Sequence, residues 1–218
     1  MLHLVGATSP SWVENALASM EKILVDHAHC ELKAAVTALS FVAKYPDDPR
    51  LVTALGALAS AEAAHFTRVA QLCVNKGLAL GHPDKDPYVD ALLASVRGFS
   101  VVEGRVDRLL CCALIEGRSC ERLRLLAEAL PAHKGVGIVD DHVCSLYDDL
   151  WREEATHHTL FIELAQRSAQ RSAQRSAQRS AQHAADGDAH ERVLSRLAEL
   201  AAVEGDILRR MPIRAAIH

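Results

Sequence analysis

The sequence predicts an all-α fold: two antiparallel helical hairpins joined by a long crossover, with one further helix at the C-terminal end. Three observations carry this expectation. Half of the 218 residues are hydrophobic but only 4% are aromatic. The apolar content is mostly Ala, Leu and Val, which suits packed helices better than a β-sandwich. Long stretches repeat apolar residues at helical spacing, and the prolines fall at their ends. A chain of this length can bury a sizeable core within one domain, so residues 1–218 are read as a single domain.

The elements follow in order. Residues 1–10 read as a lead-in. Ser11 with Glu14 three residues on has the form of a capping box, and a helix is expected from there to about Lys44. Tyr45-Pro46 ends it, because proline disfavours helix in the residue before it. Pro49 suits the first turn of a second helix, which Gly77 closes. Residues 78–98 form a long connection, with one short helix around Val89–Val96. A third long helix covers about Ser100–Leu130 and stops at Pro131. A fourth begins between Ile138 and Asp141 and runs on to at least Ala165. A final amphipathic helix spans about Glu191–Arg210.

Residues 166–182 read QRSAQRSAQRSAQRSAQ. On a helix, a four-residue repeat drifts by about 40° per copy. Arg167, Arg171, Arg175 and Arg179 would then form a like-charged stripe, at a cost of roughly 0.2–0.5 kcal/mol per pair. With no large apolar residue to bury, the stretch is read as a tandem-repeat insertion, either a solvated helical extension or a mobile linker.

Composition narrows the functional classes. A net charge of −4 and a pI near 6.3 are not those of a dedicated, strongly basic nucleic-acid-binding domain. The six cysteines form no C-x-x-C pair and lie mostly in apolar helical patterns, as small core residues of a reducing compartment do. No signal peptide and no membrane-spanning run are seen, so the expected location is the cytoplasm.

The chemistry lies in two Glu-x-x-His pairs, Glu62/His65 and Glu154/His157. One such pair means little, but their placement along the helices is informative. Glu31 lies 15 residues before Pro46, while Glu62 and His65 lie 13 and 16 residues after Pro49. At 1.5 Å per residue all three stand roughly 20–24 Å from the same turn. Glu116 lies 15 residues before Pro131, and Glu154 and His157 stand about as far along the fourth helix. Glu31 and Glu116 interrupt apolar runs, which turns them inward. Six buried polar groups at one height need partners. A dinuclear metal site supplies them, because a Glu from each of two helices and Glu-x-x-His from each of the other two is the ligand pattern of ferritin-like di-iron and di-manganese bundles. The crossover at 78–98 is long enough for that topology. Glu121 falls about 7 Å off the plane, and His158 points away from His157. His27 and His29 are read as surface or supporting residues, and Asp107 and Glu103 as solvated or partner-facing charges.

At DHAHCELKAA, LASAEAAHF, ALIEGRSCERL and EEATHHTLFIELA the chain resembles the tRNA methylthio-isopentenyl-adenosine hydroxylases, ferritin-like non-haem di-iron monooxygenases. The resemblance covers about residues 15–165, and Ile115–Arg122 is its most specific part. It implies a ferritin-like bundle with two iron ions held by Glu31, Glu62, His65, Glu116, Glu154 and His157. It implies dioxygen as co-substrate and a hypermodified adenosine beside the tRNA anticodon as target. It places Arg118, Glu121 and Arg122 beside the site. No dinucleotide fingerprint is present, so electrons are expected from a separate reductase. A cluster of Arg97, Arg105, Arg108, Arg118, Arg122 and Arg124 reads equally as a phosphate-binding stripe or a mixed solvated face. The competing reading is an iron-storage bundle, which would need a shell; a monomer or small homo-oligomer is expected instead.

Overall fold

The computed structural model describes residues 2–98, 101–180 and 186–218, with side chains other than those of 175–180 and 186–188. Among these residues the fold is all-α. The helices are α1 (Pro10–Leu17), α2 (Met20–Lys44), α3 (Pro49–Asn75), α4 (Pro87–Leu93), α5 (Val101–Ala129), α6 (Asp141–Glu154), α7 (His157–Ser180) and α8 (Asp186–Arg210), with a short 3₁₀ turn at Leu130–His133. The architecture is a ferritin-like four-helix bundle. α2 and α3 form one hairpin, α5 and the α6–α7 pair form the other, and α8 packs alongside α5 and α7.

Local chemistry accounts for most boundaries. Asp48 caps α3 by accepting from the Leu51 amide, and Pro49 occupies its first turn. Gly77 at φ +71 closes α3, with the Leu78 amide donating to the Cys73 carbonyl at 2.9 Å. The crossover helix α4 begins at Pro87 rather than near Val89, because Asp86 caps it by accepting from the Val89 amide.

Three expectations are corrected. The first helix is broken at Ala18–Ser19, and its cap is Ser9, whose hydroxyl accepts from the Ser11 amide ahead of Pro10. The break turns α1 so that the Trp12 indole donates to the Ala216 carbonyl and lies under the Arg122 guanidinium. The fourth helix is also interrupted, at Ala155–Thr156, between the two members of the second Glu-x-x-His pair. The start of the repeat is packed: Ser168 is buried, Ala169 lies against the core, and Arg171 pairs with Asp48 at 2.5 Å. Ser100, residues 181–182 and the side chains of Arg175 and Arg179 lie outside the described residues.

The core has two apolar parts. One gathers Leu55, Leu58, Leu110, Leu114, Phe161 and Leu197. The other gathers Ile23, Leu24, Leu72, Leu126, Tyr147 and Leu150. Along α3 the order is Leu58, Glu62, His65, Leu72, and along α5 it is Leu114, Glu116, Leu126, so a polar layer lies between two apolar ones. All six cysteines are free and five are buried, as small core residues. Among the described residues no helix is long and apolar enough to cross a membrane.

Asp107 is fully buried rather than solvated, which corrects its reading as a surface charge. It accepts from Arg97 at 2.7 Å and from Arg196 at 2.8 Å, tying the crossover and α8 to α5. Contacts with these two guanidinium groups hold its carboxyl below the usual range against the effect of burial.

Candidate metal centre

The structure brings all six expected residues to one level of the bundle. They form two overlapping groups: Glu31, Glu62, His65 and Glu154, and then Glu62, Glu116, Glu154 and His157. In each group one ligand atom per residue lies within 4.8 Å of the others.

The shared members are Glu62 and Glu154, and each divides its two oxygens between the two histidines. Glu154 sets Oε1 at 2.6 Å from His65 Nδ1 and Oε2 at 2.6 Å from His157 Nδ1. Glu62 sets Oε2 at 3.5 Å from His65 Nδ1 and Oε1 at 2.8 Å from His157 Nδ1. Glu31 belongs to the His65 side, at 3.5 Å, and Glu116 to the His157 side. The two imidazoles stack at 5.8 Å with an interplanar angle of 19°. Glu62 and His65 share a face of the continuous α3. Glu154 ends α6 and His157 begins α7, so the turn at Ala155–Thr156 sets the second pair's geometry. Local departures from regular helix are frequent at functional sites.

The donor set fits a pair of cations. Nδ1 of His65 and His157, Oε1 of Glu62 and both oxygens of Glu154 are buried and have no hydrogen-bond partner, although they converge. Leaving such atoms unsatisfied is costly unless something else binds them. Four carboxylates also balance two divalent ions. The protonation equilibria of the cage carry the same demand for positive charge. Burial opposes a charged His65, but contacts with Glu154, Glu31 and Glu62 lift its pKa to about 12. His157 is lifted to about 10 by Glu154 and Glu62, again against burial. Burial, followed by the charges of Glu62 and Glu154, pushes Glu116 well above the usual carboxylate range.

Two residues support the ligands: His27, for which the supporting role is the expected alternative that holds, and Glu153, which carries no sequence signal of its own. His27 is buried and donates from Nε2 to Glu31 Oε1 at 2.6 Å. His65 Nε2 donates to Glu153 Oε2 at 3.0 Å, and Glu153 is in turn gripped by Arg68 at 2.7 and 2.9 Å. A carboxylate on the second ring nitrogen fixes the tautomer that leaves Nδ1 free to bind. Glu153→Ala is expected to weaken metal affinity by roughly 10–100-fold without unfolding the bundle, as measured by metal titration against circular dichroism. His29 is buried and bonded to the Leu80 carbonyl, away from the cage. His158 lies against His3 instead of entering the cage.

Arg118, Glu121 and Arg122 do not touch the cage. Arg118 binds Glu204 and Glu121, Glu121 accepts from Thr8, and Arg122 donates to the Ala216 and Ile217 carbonyls. The arginine cluster does not share one face: Arg118 and Arg122 are buried, Arg97, Arg105 and Arg124 pair with Asp107, Asp48 and Glu128, and Arg108 is exposed.

A cavity of about 610 Å³ reaches the cage. Glu31, Glu62, Glu116 and Glu154 line it together with apolar residues such as Cys112, Ile115 and Phe161. A size of this order is typical of small-molecule pockets.

The chain is similar to known proteins over most of its length. Residues 2–186 match the family described as tRNA-(MS[2]IO[6]A)-hydroxylase (MiaE). A tRNA 2-(methylsulfanyl)-N(6)-isopentenyladenosine(37) hydroxylase from Pseudomonas putida is 36% identical over 158 residues, covering 72% of each chain. An enzyme of the same name from Salmonella typhimurium is 26% identical over 209 residues, covering 73% of this chain and 74% of the other. Among solved structures, a Synechococcus protein with aldehyde deformylating oxygenase activity superposes with a TM-score of 0.78. It is 32% identical, with 97% of this chain and 92% of that one covered. The extent of these matches and the level at which the Glu and His side chains meet lead to one conclusion: the chain belongs to the MiaE family of tRNA hydroxylases.

Proposed function

We propose that this enzyme hydroxylates the isopentenyl side chain of 2-methylthio-isopentenyl-adenosine next to the anticodon of tRNA. It would use dioxygen and two iron ions held by Glu31, Glu62, His65, Glu116, Glu154 and His157. The observation that carries this reading is the pair of ligand groups sharing Glu62 and Glu154 beside a largely apolar cavity, in a member of this family. Hard carboxylates and imidazole suit iron.

When bound, the iron pair supplies the activation of dioxygen. The chain's own residues do the rest. Glu62 and Glu154 hold the two halves of the site in register. Glu153 and Arg68 orient His65, and His27 orients Glu31. The apolar walls at Cys112, Ile115 and Phe161 receive the hydrocarbon side chain and exclude water from it. Electrons come from a separate reductase. Residues 1–218 act as one domain, with 166–182 as a tandem-repeat insertion within it, and the enzyme works in the cytoplasm as a monomer or small homo-oligomer.

The test is nucleoside analysis of tRNA treated with the iron-loaded protein, a reductant system and dioxygen. A product heavier by one oxygen is expected. No product beside an active relative run in parallel would reject the activity. A large shell-like particle in solution would favour iron storage.

A further inference from the structure

One wall of the cavity is polar and is built by residues with no part in the cage. Ser119 follows Glu116 by three residues on α5, on the same face and about 4.5 Å along the axis, and both line the cavity. Ser119 Oγ lies 2.6 Å from His218 Nε2. His218 Nδ1 lies 3.2 Å from Asp86 Oδ2, and its ring stacks on Tyr88 at 6.0 Å and 16°. The segment carrying His218 is firmly held. The Ile217 amide donates to Asp26 at 2.7 Å, Trp12 donates to the Ala216 carbonyl at 3.1 Å, and Arg122 donates to the Ile217 carbonyl at 3.0 Å. This segment lies beyond the residues matched to the family.

The hydrogen-bond directions follow from the end of the chain of contacts. Contacts with His218 and the Val89 amide keep Asp86 ionised against the effect of burial, and a carboxylate only accepts. Nδ1 of His218 therefore donates to Asp86. Whichever partner donates across the 2.6 Å contact between Ser119 Oγ and His218 Nε2, the hydroxyl oxygen keeps a lone pair that the contact does not use. What Ser119 offers to the cavity is an oxygen lone pair.

Resting on the tRNA-hydroxylase reading above, we infer that Ser119 accepts the N6–H of the isopentenylated adenine and that His218 and Asp86 are positioning residues that hold its hydroxyl in that role. The chemistry of the substrate matches this placement. N6 carries one hydrogen and the isopentenyl chain, and the terminal carbons lie four bonds away, about 5 Å when extended. One helical turn separates Ser119 from Glu116, so an N6–H held at Ser119 leaves the chain's end at the level of the cage. Enzymes that act on a base take it out of the stack into a fitted pocket, and the cavity has the volume for it.

The experiment compares two anticodon stem-loop RNAs, one with the natural modified base and one with 2-methylthio-6-isopentenyloxy purine, in which an ether oxygen replaces N6–H and nothing else changes. The iron-loaded wild type is expected to bind and turn over the ether about 10-fold less well, the effect of one hydrogen bond. Ser119→Ala and His218→Ala lose about 10-fold on the N–H substrate and almost nothing on the ether, so the discrimination collapses. Ser119→Thr retains it, and iron content is unchanged throughout. Equal use of the two RNAs by the wild type, or discrimination surviving in Ser119→Ala, overturns the inference. If the wild type binds the RNAs but hydroxylates neither, the proposed activity fails, while the ratio of the two Kd values still decides the role of Ser119.

Discussion

Glu154→Ala and Glu62→Ala are each expected to empty the whole site, whereas Glu31→Ala and Glu116→Ala each strip one side. The asymmetry follows from the oxygen assignments. Glu154 approaches His65 through Oε1 and His157 through Oε2, and Glu62 serves both histidines in the same divided way. Glu31 serves the His65 group alone and Glu116 the His157 group alone. Loss of a supporting residue around a metal costs roughly 10–100-fold, so loss of a shared ligand is expected to lower hydroxylation by at least about 100-fold. Metal analysis of folded protein should return near two ions per chain for the wild type, near one for the Glu31 and Glu116 variants, and almost none for the other two. Metal binding that survives both Glu62→Ala and Glu154→Ala would sink the site assignment. A one-ion result for all four would leave the ligands standing but refute the sharing.

The level of the cage was readable because a helix is a ruler with a fixed rise, and Pro46, Pro49 and Pro131 mark where each ruler starts. Counting from those prolines puts Glu31, Glu62, His65 and Glu116 at one height, where the structure has them. The break at Ala155–Thr156 left no such mark, since neither residue forbids helix. The same Glu-x-x-His spacing sits on the continuous α3 at Glu62 and His65, so the motif itself does not announce the break. The burial of Asp107 is hidden from the sequence for a related reason. Its charge suggests solvent, and of its two partners Arg97 stands ten residues back across the end of the crossover and Arg196 lies 89 residues on, so helix periodicity around Asp107 announces neither pairing. His27 and Glu153 stand beside the ligand motifs, yet whether they face the cage depends on helix rotation and on Arg68 from another helix. The wall formed by His218 was invisible for the same reason: only the folded chain brings the segment after α8 back to α5.

Arg118→Met is expected to be the most destabilising single change outside the cage, although Arg118 stands only two residues from Glu116. Two residues turn the helix by about 200°, so the guanidinium faces away from the metal level. Both Arg118 and Glu204 are fully buried. All five guanidinium donors are used: Nε and Nη2 on Glu204 at 2.9 and 3.0 Å, Nη2 also on the Gly6 carbonyl at 2.8 Å, and Nη1 on Thr8 at 3.2 Å and on Glu121. One side chain thus ties the lead-in segment and α8 to α5. Methionine would leave Glu204 as a buried charge held only by the Tyr88 hydroxyl, a loss of about 3–5 kcal/mol. For a chain of this size that lowers Tm by about 10–15 °C. Lysine should rescue little, because three donors on a point cannot replace a planar fork. The double variant Arg118→Met/Glu204→Leu should recover most of the loss, since removing both charges removes the desolvation penalty as well. Metal bound per folded chain should stay at the wild-type value in every one of these variants. A stable Arg118→Met protein that has lost its metal would show that the arginine supports the site after all and is not the clamp its five contacts describe.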